Sequence, residues 1–318
     1  MRRWRRSPSG CPLATAAIQA PRRFHDAPQG NPGAHRRPEG LPAVVGERYH
    51  ERYRVEPSAA FRLDGVNPEE TQGLRGKEAR GLLAGELEKL SGLQERLYAE
   101  GKRSLLLVLQ AMDGGGKDST IRRVFRGVNP QGCYVVSFKA PSQEELAHDF
   151  LWRIHRRTPA RGHIGVFNRS HYEDVLVPLV HETVPASLVE GRYEHINCLE
   201  KMLHDSGTRL VKVFLHISKE YQLKRMHRRL ERPDKLWKFA LEDLEEREHW
   251  DAYMGAYETL SGRCSTPRAP WCVVPANNRR FSSIVVAQLL VDALREIDPQ
   301  HPPAFDPEQY PTERLQRG

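Results

Sequence analysis

The chain has 318 residues, of which 28% are charged and 39% hydrophobic, and its formal net charge is +8. No apolar run approaches the roughly 20 residues that a membrane-spanning helix needs, so we predict no membrane span. Eight arginines against Asp26 and Glu39 place +6 of the charge in residues 1–40. Because the remaining chain is nearly neutral, the composition does not favour a specific nucleic-acid partner.

Residues 1–43 are rich in Arg, Pro, Gly and Ala and show little periodicity, which favours disorder. A targeting segment is the alternative, because a basic stretch precedes mildly apolar residues 11–18, and a misassigned start is another. The five cysteines form no C-x-x-C pair, which is typical of a reducing, cytoplasmic compartment. The histidines form no H-E-x-x-H pattern, so we do not expect a metal centre held by histidines.

After this tail, helical and strand patterns alternate along the chain. Leucines at i+3 and i+4 spacings predict a packing helix over residues 77–100. Apolar and β-branched runs predict five strands, at residues 104–110, 134–138, 163–167, 210–217 and 271–275. Helical patterns follow them, at residues 117–126, 142–157, 172–177, 186–206 and 280–297. This alternation predicts an α/β fold, with a parallel sheet covered by helices on both faces.

A glycine-rich turn follows the first predicted strand, in the segment LLLVLQAMDGGGKDSTI. It places Gly114, Gly115 and Gly116 directly before Lys117, where a helical pattern begins. Such glycines let backbone N–H groups approach phosphate oxygens, and the helix N-terminus and the lysine add positive charge. The segment therefore predicts a phosphate-binding loop and phosphoryl transfer; the alternative is a turn that binds no ligand.

This loop departs from the usual G-x-x-x-x-G-K-[ST] pattern. Ala111 replaces the first glycine, and Asp118 replaces the hydroxyl residue that binds magnesium. Asp113 adds a carboxylate inside the loop. A carboxylate near phosphates suits Mg²⁺, which prefers oxygen ligands and also bridges to substrate phosphates.

The segment VFNRSHYEDV leaves the third predicted strand and brings Asn168, Arg169 and Glu173 close together. The carboxyl ends of parallel strands are where such sheets bind ligands. In phosphate-loop enzymes an acidic residue here binds magnesium, but Asn168 holds that position, so Asp113 or Glu173 must supply the charge. The alternative is a strand end followed by a solvated helix.

Residues 224–238 contain seven Lys and Arg residues, interrupted by Pro233, and an acidic helix follows up to residue 250. A basic helix, a break and a second helix predict a mobile lid that closes over phosphates. The alternative is a solvated hairpin whose basic side chains pair with the glutamates that follow.

Five segments together resemble the polyphosphate kinase 2 family: QAMDGGGKDSTI, GVNPQGCYVVSFKAPS, HDFLWRIHRRTPARGHIGVFNRSHYEDVLV, DKLWKFALEDLEEREHWDAY and STPRAPWCVVPANN. They are most similar to its single-domain branch, which phosphorylates AMP and ADP. The resemblance implies a three-layer phosphate-loop kinase fold like that of thymidylate kinase, with a helical lid. It also implies Mg²⁺-dependent, reversible phosphoryl transfer between polyphosphate and AMP, ADP or ATP, and a dimer or tetramer. Guanine nucleotides remain open as acceptors.

We accordingly expect a tail at residues 1–43, a kinase domain at 44–298 with a lid at about 224–250, and a C-terminal tail at 299–318. The predicted catalytic residues are Asp113, Lys117 and Arg169. The residues predicted to bind phosphate or polyphosphate are Gly114, Gly115, Gly116, Asp118, Arg122, Arg225, Arg229 and Lys238. Lys139, Asn168 and Glu173 are predicted to bind the nucleotide, and Asp113 and Glu173 to bind Mg²⁺.

Two other functions share some of these features. An ATP-dependent nucleoside monophosphate kinase would have the same loop and lid, but Asp113, Asp118 and the crowded basic lid argue against it. A nonenzymatic protein that binds RNA or polyphosphate would depend on the basic tail and lid. The near-neutral remainder of the chain and the lack of a K/R-G-F-G-F run weaken that interpretation.

Overall fold

The computed structural model describes residues 48–57, 60–238 and 241–303, and it describes only the backbone of residues 235, 237 and 238. They lie in the unit Pro42–Gly318. The predicted N-terminal tail lies outside the described residues, and the predicted C-terminal tail is described only as far as residue 303.

Five parallel strands form the central sheet of the described chain: β1 (Ser104–Gln110), β2 (Cys133–Ser137), β3 (Ile164–Asn168), β4 (Thr208–His216) and β5 (Trp271–Pro275). Their order is β2-β3-β1-β4-β5. Strand β1 pairs on both sides and is buried along its whole length, which explains its unbroken apolar run. The predicted strands are confirmed to within two residues at each end.

Helices flank the sheet: α1 (Gly76–Glu100), α2 (Lys117–Val124), α3 (Gln143–Leu146), α4 (Trp152–His155), α5 (Glu173–His181), α6 (Ala186–Asp205), α7 (Lys219–Leu230), α8 (Glu242–Glu248), α9 (Trp250–Cys264) and α10 (Arg279–Ile297). Helices α1, α2 and α10 pack together, and α5, α6 and α9 form a second packed group. The α/β prediction is thereby confirmed. Among the described residues, no helix is both long and apolar enough to span a bilayer.

The prediction of one helix over residues 142–157 is wrong, since two short helices, α3 and α4, occupy that stretch. Ser142 and Glu145 form a reciprocal capping box that begins α3, as their spacing indicates. The Asp149 carboxylate then accepts a hydrogen bond from the Leu151 N–H at 3.0 Å. This local turn competes with continued helix and separates α3 from α4.

His216, at the end of β4, gives the fold an acid-sensitive position. Its side chain is buried, its Nδ1 has no hydrogen-bond partner among the described residues, and burial lowers its pKa to about 4. An unfolded histidine titrates near ~6.5. Between these values the unfolded chain binds more protons, so stability is complete above pH ~6.5 and falls as the pH drops towards 4.

Replacing His216 by methionine should remove this dependence. Relative to His216→Met, the wild type is expected to lose up to about 3 kcal/mol of unfolding free energy between pH ~7 and ~4. Urea unfolding of both proteins across this range measures the difference. Parallel stability curves would show that His216 does not cause the acid sensitivity.

Candidate active site

The glycine loop connects β1 to α2 and turns the chain sharply. The Gly115 N–H donates to the Met112 carbonyl at 2.9 Å. Gly114 and Gly116 have φ angles of +77° and +97°, which glycine adopts at little cost. Lys117 is the first residue of α2, and its Nζ donates to the Ala111 carbonyl at 2.6 Å, so the lysine folds back over the loop.

Asp113 lies at the centre of a cluster of alternating charges. Arg169 Nη2 donates to Asp113 Oδ1 at 2.5 Å, and Lys117 Nζ lies 4.0 Å from the same oxygen. Arg169 Nη1 also lies 3.8 Å from Glu173 Oε2. Burial alone would raise the pKa of Asp113, but Lys117 and Arg169 outweigh burial and lower it. Asp113 is therefore a carboxylate at neutral pH.

The other members of the cluster respond to burial as well. Burial lowers the pKa of Lys117, although Asp113 offsets part of this effect. Burial raises the pKa of Glu173, although Arg169 offsets part of it. For Arg169, burial opposes the charge, but Asp113 and Glu173 raise its pKa further. The two carboxylates thus stabilise the charged form of the guanidinium.

Arg169 owes its position to an uncommon backbone conformation at the end of β3. Its φ angle is +63°, in a region that residues other than glycine rarely adopt. Its backbone N–H donates to the carbonyl of Leu109, on the neighbouring strand β1, at 3.1 Å. Such strain is retained mainly where a site requires it, and here it turns the guanidinium towards Asp113.

A cavity of about 950 Å³ opens at this edge of the sheet. Among the described residues, its lining includes nine basic side chains and three carboxylates. The basic residues are Lys117, Arg122, Lys139, Arg169, Arg225, Arg228, Arg229, Arg232 and Arg279, and the acidic residues are Asp113, Asp118 and Asp243. Such an excess of positive charge favours a highly anionic ligand.

Most of the residues predicted from the sequence meet in this cavity. Its lining includes Asp113, Gly114, Gly115, Gly116, Lys117, Asp118, Arg122, Lys139, Asn168, Arg169, Arg225 and Arg229. Asn168 Nδ2 donates to Asp118 Oδ1 at 2.8 Å and so links the end of β3 to α2. Glu173 is not part of the lining and instead contacts Arg169, while the side chain of Lys238 lies outside the described residues.

The sequence-based site omitted Arg228, Arg232, Asp243 and Arg279, which also line the cavity. Arg228 and Arg232 belong to the basic run, but the run alone does not indicate which side chains face the ligand. Arg279 begins α10, just after β5, so the strand-end rule could have identified it. Asp243 is one of several acidic residues in α8, and nothing in the sequence singles it out.

Asp243 connects the two helices of the predicted lid. Arg229 Nη1, on α7, donates to Asp243 Oδ2, on α8, at 2.8 Å. Burial, together with the nearby charge of Asp113, raises the pKa of Asp243, and Arg229 offsets part of that effect. The ion pair therefore joins α7 to α8 beside the glycine loop.

The carboxylates of the site also bear on metal binding. Within the described chain, no group of three or more His, Cys, Asp or Glu side chains is placed to hold a metal ion. Mg²⁺ is commonly held by only one or two carboxylates, with substrate phosphates and water completing its shell. Asp113 lies on the cavity beside the glycine loop and is a carboxylate that fits such a Mg²⁺ shell.

The chain is similar in sequence to known proteins that act on polyphosphate. A family model described as polyphosphate kinase 2 matches residues 74–302. The chain is 48% identical over 253 residues to an AMP/ADP-polyphosphate phosphotransferase of Meiothermus ruber. That alignment covers 79% of this chain and 95% of the relative. It is also 47% identical over 233 residues to an ADP-polyphosphate phosphotransferase of Rhodopseudomonas palustris. That alignment covers 70% of this chain and 81% of the relative.

A crystal structure of polyphosphate kinase 2 from Arthrobacter aurescens superposes with a TM-score of 0.79 at 46% identity, covering 84% of this chain and 95% of that one. The fold is therefore the phosphate-loop kinase fold of that protein. The family match spans all five strands and the helices between them. The resemblance found in the sequence is confirmed, and the chain belongs to the polyphosphate kinase 2 family.

Proposed function

We propose that this protein transfers phosphoryl groups between inorganic polyphosphate and AMP or ADP, reversibly and with Mg²⁺. The names of its relatives support this class of reaction. The observation that carries the proposal is the cavity in which nine basic side chains surround Asp113 and the glycine loop. A polyphosphate chain carries about one negative charge on each phosphate unit, and such a cavity would neutralise several units at once.

The donor would bind along the basic face of α7. Arg225, Arg228 and Arg229 line the same cavity as Lys117 and Arg122 of α2. The first turn of α2 also directs backbone N–H groups and partial positive charge towards the loop. These groups would hold the terminal polyphosphate unit against the loop, with the rest of the chain following the α7 arginines.

The acceptor would bind at the ends of β2 and β3. Lys139, Asn168 and Arg169 line this part of the cavity and would hold the phosphates of AMP or ADP. A nucleotide phosphate oxygen then attacks the terminal phosphorus of polyphosphate, and the bridging P–O bond breaks to leave a chain one unit shorter. That oxygen is already ionised at neutral pH, so positioning and charge neutralisation suffice without a general base.

Asp113 would orient charge rather than abstract a proton, because Lys117 and Arg169 lower its pKa and so make it a weak base. Together with phosphate oxygens and water, Asp113 would hold Mg²⁺, with Asp118 and Asp243 as the neighbouring carboxylates. When bound, the ion would supply charge neutralisation across the reacting phosphates. Because Glu173 contacts Arg169, we propose that it orients this guanidinium instead of binding the metal directly.

The test is to separate nucleotides chromatographically after mixing the protein with Mg²⁺, long-chain polyphosphate and AMP, with ATP plus AMP as a parallel sample. We expect ADP, and then ATP, to form with polyphosphate. Turnover in the ATP sample alone would indicate an ordinary nucleoside monophosphate kinase. Omitting Mg²⁺, or replacing AMP by GMP, tests the metal and the guanine acceptors in the same assay.

Arg228 offers a specific test of the proposal that polyphosphate binds along α7, because it lines the cavity from an exposed position on that helix. Arg228→Gln should raise the KM for long-chain polyphosphate by about three- to tenfold at low salt, with kcat nearly unchanged. The effect should shrink at high salt, because exposed charges are screened. Arg80→Gln, on the exposed face of α1, is the matched control. Equal effects of both changes on the KM for polyphosphate would contradict binding of polyphosphate along α7.

The remaining features are proposed from the resemblance and the sequence. We expect a dimer or a tetramer, measurable by analytical ultracentrifugation, and a cytoplasmic location. We retain the proposed division into a tail at residues 1–43, a kinase domain at 44–298 with its lid, and a tail at 299–318. Limited proteolysis followed by mass spectrometry would map these boundaries.

A further inference from the structure

A buried glutamine outside the predicted site contacts the glycine loop directly. Gln222, in the first turn of α7, is only 1% exposed, and its Nε2 donates to the Asp113 carbonyl at 2.8 Å. A Cβ placed on Gly114 would lie 3.5 Å from Gln222 Cγ, so a side chain added at this position of the loop would contact Gln222. Gln222 therefore holds the main chain of Asp113, whereas Arg169 holds its carboxylate.

The other end of the same amide contacts α8. Arg247 Nη1 donates to Gln222 Oε1 at 2.8 Å, and also to the Lys219 carbonyl at 2.8 Å. One guanidinium nitrogen thus joins α8 to the beginning of α7. The Gln222 amide connects both helices to the loop that carries Asp113.

These contacts allow only one orientation of the Gln222 amide. A backbone carbonyl only accepts hydrogen bonds, and a guanidinium only donates them, so Nε2 must face Asp113 and Oε1 must face Arg247. Methionine would fill a similar volume but make neither bond. Glutamate would keep the bond from Arg247 but turn a carboxylate oxygen towards the Asp113 carbonyl.

We propose that Gln222 is a positioning residue for Asp113, and that Arg247 sets its orientation. The packing of α8 against α7 then controls the geometry of the glycine loop. Helices α7 and α8 also present Arg225, Arg229 and Asp243 to the cavity, so the elements that would bind polyphosphate also fix the loop. The kinetic consequence of this arrangement rests on the proposed function, but the contact itself does not.

The kinetic test compares Gln222→Met, Arg247→Met and the double variant with polyphosphate and AMP. Each single change should lower kcat by about ten- to hundredfold, because misplacing a reacting group by about 1 Å has effects of this size. The KM for polyphosphate should change by less than about threefold. The double variant should be no slower than the slower single variant, because both residues act through one contact.

Leu223→Met, on the exposed side of α7, and Arg80→Met, on α1, are the matched controls and should keep wild-type kinetics. Gln222→Glu should be at least as slow as Gln222→Met, because it opposes two oxygens at the loop. Wild-type kcat in Gln222→Met, or losses in the two single variants that multiply in the double variant, would overturn the proposal.

A second readout does not depend on turnover. The amide nitrogen of Gly114 follows the Asp113 carbonyl, and its ¹⁵N shift reports the hydrogen bond to that carbonyl. In glycine-labelled full-length protein, Gln222→Met and Arg247→Met should move the Gly114 signal, and Arg80→Met should not. If the wild type does not use polyphosphate, the proposed function fails, and this spectrum alone decides the contact; an unmoved Gly114 signal in Gln222→Met would refute it.

Discussion

Replacing Asp113 by asparagine is expected to lower kcat by at least about 10²-fold while leaving the fold intact. Asparagine has nearly the same shape but lacks the charge that Arg169 contacts at 2.5 Å and Lys117 at 4.0 Å. Without that charge, the two cations lose the counterion that they share, and the proposed Mg²⁺ site loses its central carboxylate. Steady-state rates at saturating polyphosphate and AMP measure the loss, and thermal melting monitors the fold.

Asp251→Asn, on the exposed surface of α9, removes the same charge away from the cavity and serves as the control. It should retain the wild-type rate. If Asp113→Asn also retained the wild-type rate, Asp113 would have no part in catalysis, and the proposed placement of the metal would be wrong.

Of the substitutions considered, Lys212→Met is expected to destabilise the fold most, by about 3–5 kcal/mol of unfolding free energy. Lys212 is fully buried on β4, and its Nζ contacts Glu200 Oε2 at 2.6 Å and the Tyr172 hydroxyl at 3.2 Å. Burial alone would raise the pKa of Glu200, but Lys212 and His171 together outweigh burial and lower it. Removing the lysine would leave a buried carboxylate without its countercharge.

Urea unfolding at neutral pH measures this loss. The double variant Glu200→Leu/Lys212→Met removes both charges, and we expect it to recover most of the stability that Lys212→Met loses. A loss below about 1 kcal/mol in Lys212→Met, or a double variant less stable than Lys212→Met, would show that the pair does not stabilise the fold as described.

Much of the fold could be predicted from local sequence. Strand β1 is buried on both faces, so its apolar run is unbroken and easily recognised. The succession of strands and helices along the chain followed from the alternation of their sequence patterns. The break between α3 and α4 was missed because it depends on one side chain, Asp149, which a helical pattern tolerates.

The cavity was predictable where a residue lies within three residues of the carboxyl end of a strand, as Asp113, Lys139 and Arg169 do. Side-chain partners far apart in the chain were not predictable in this way. Gln222 and Asp243 lie on polar helices with many similar neighbours, and only the packing of α7 and α8 brings them to the loop. Spacing within a helix identifies a face but not the partner of that face.

If the transferred phosphoryl group comes from polyphosphate and is delivered at Asp113, polyphosphate must lose one phosphorus for each ADP first formed. Phosphorus NMR of wild-type and Asp113→Asn protein, mixed with Mg²⁺, long-chain polyphosphate and AMP in the absence of ATP, tests it directly. We predict that, in the wild-type sample alone, the first signals of ADP grow in step with an equal loss of polyphosphate phosphorus. A wild-type sample that forms ADP only after ATP is added, with polyphosphate unchanged, would contradict it.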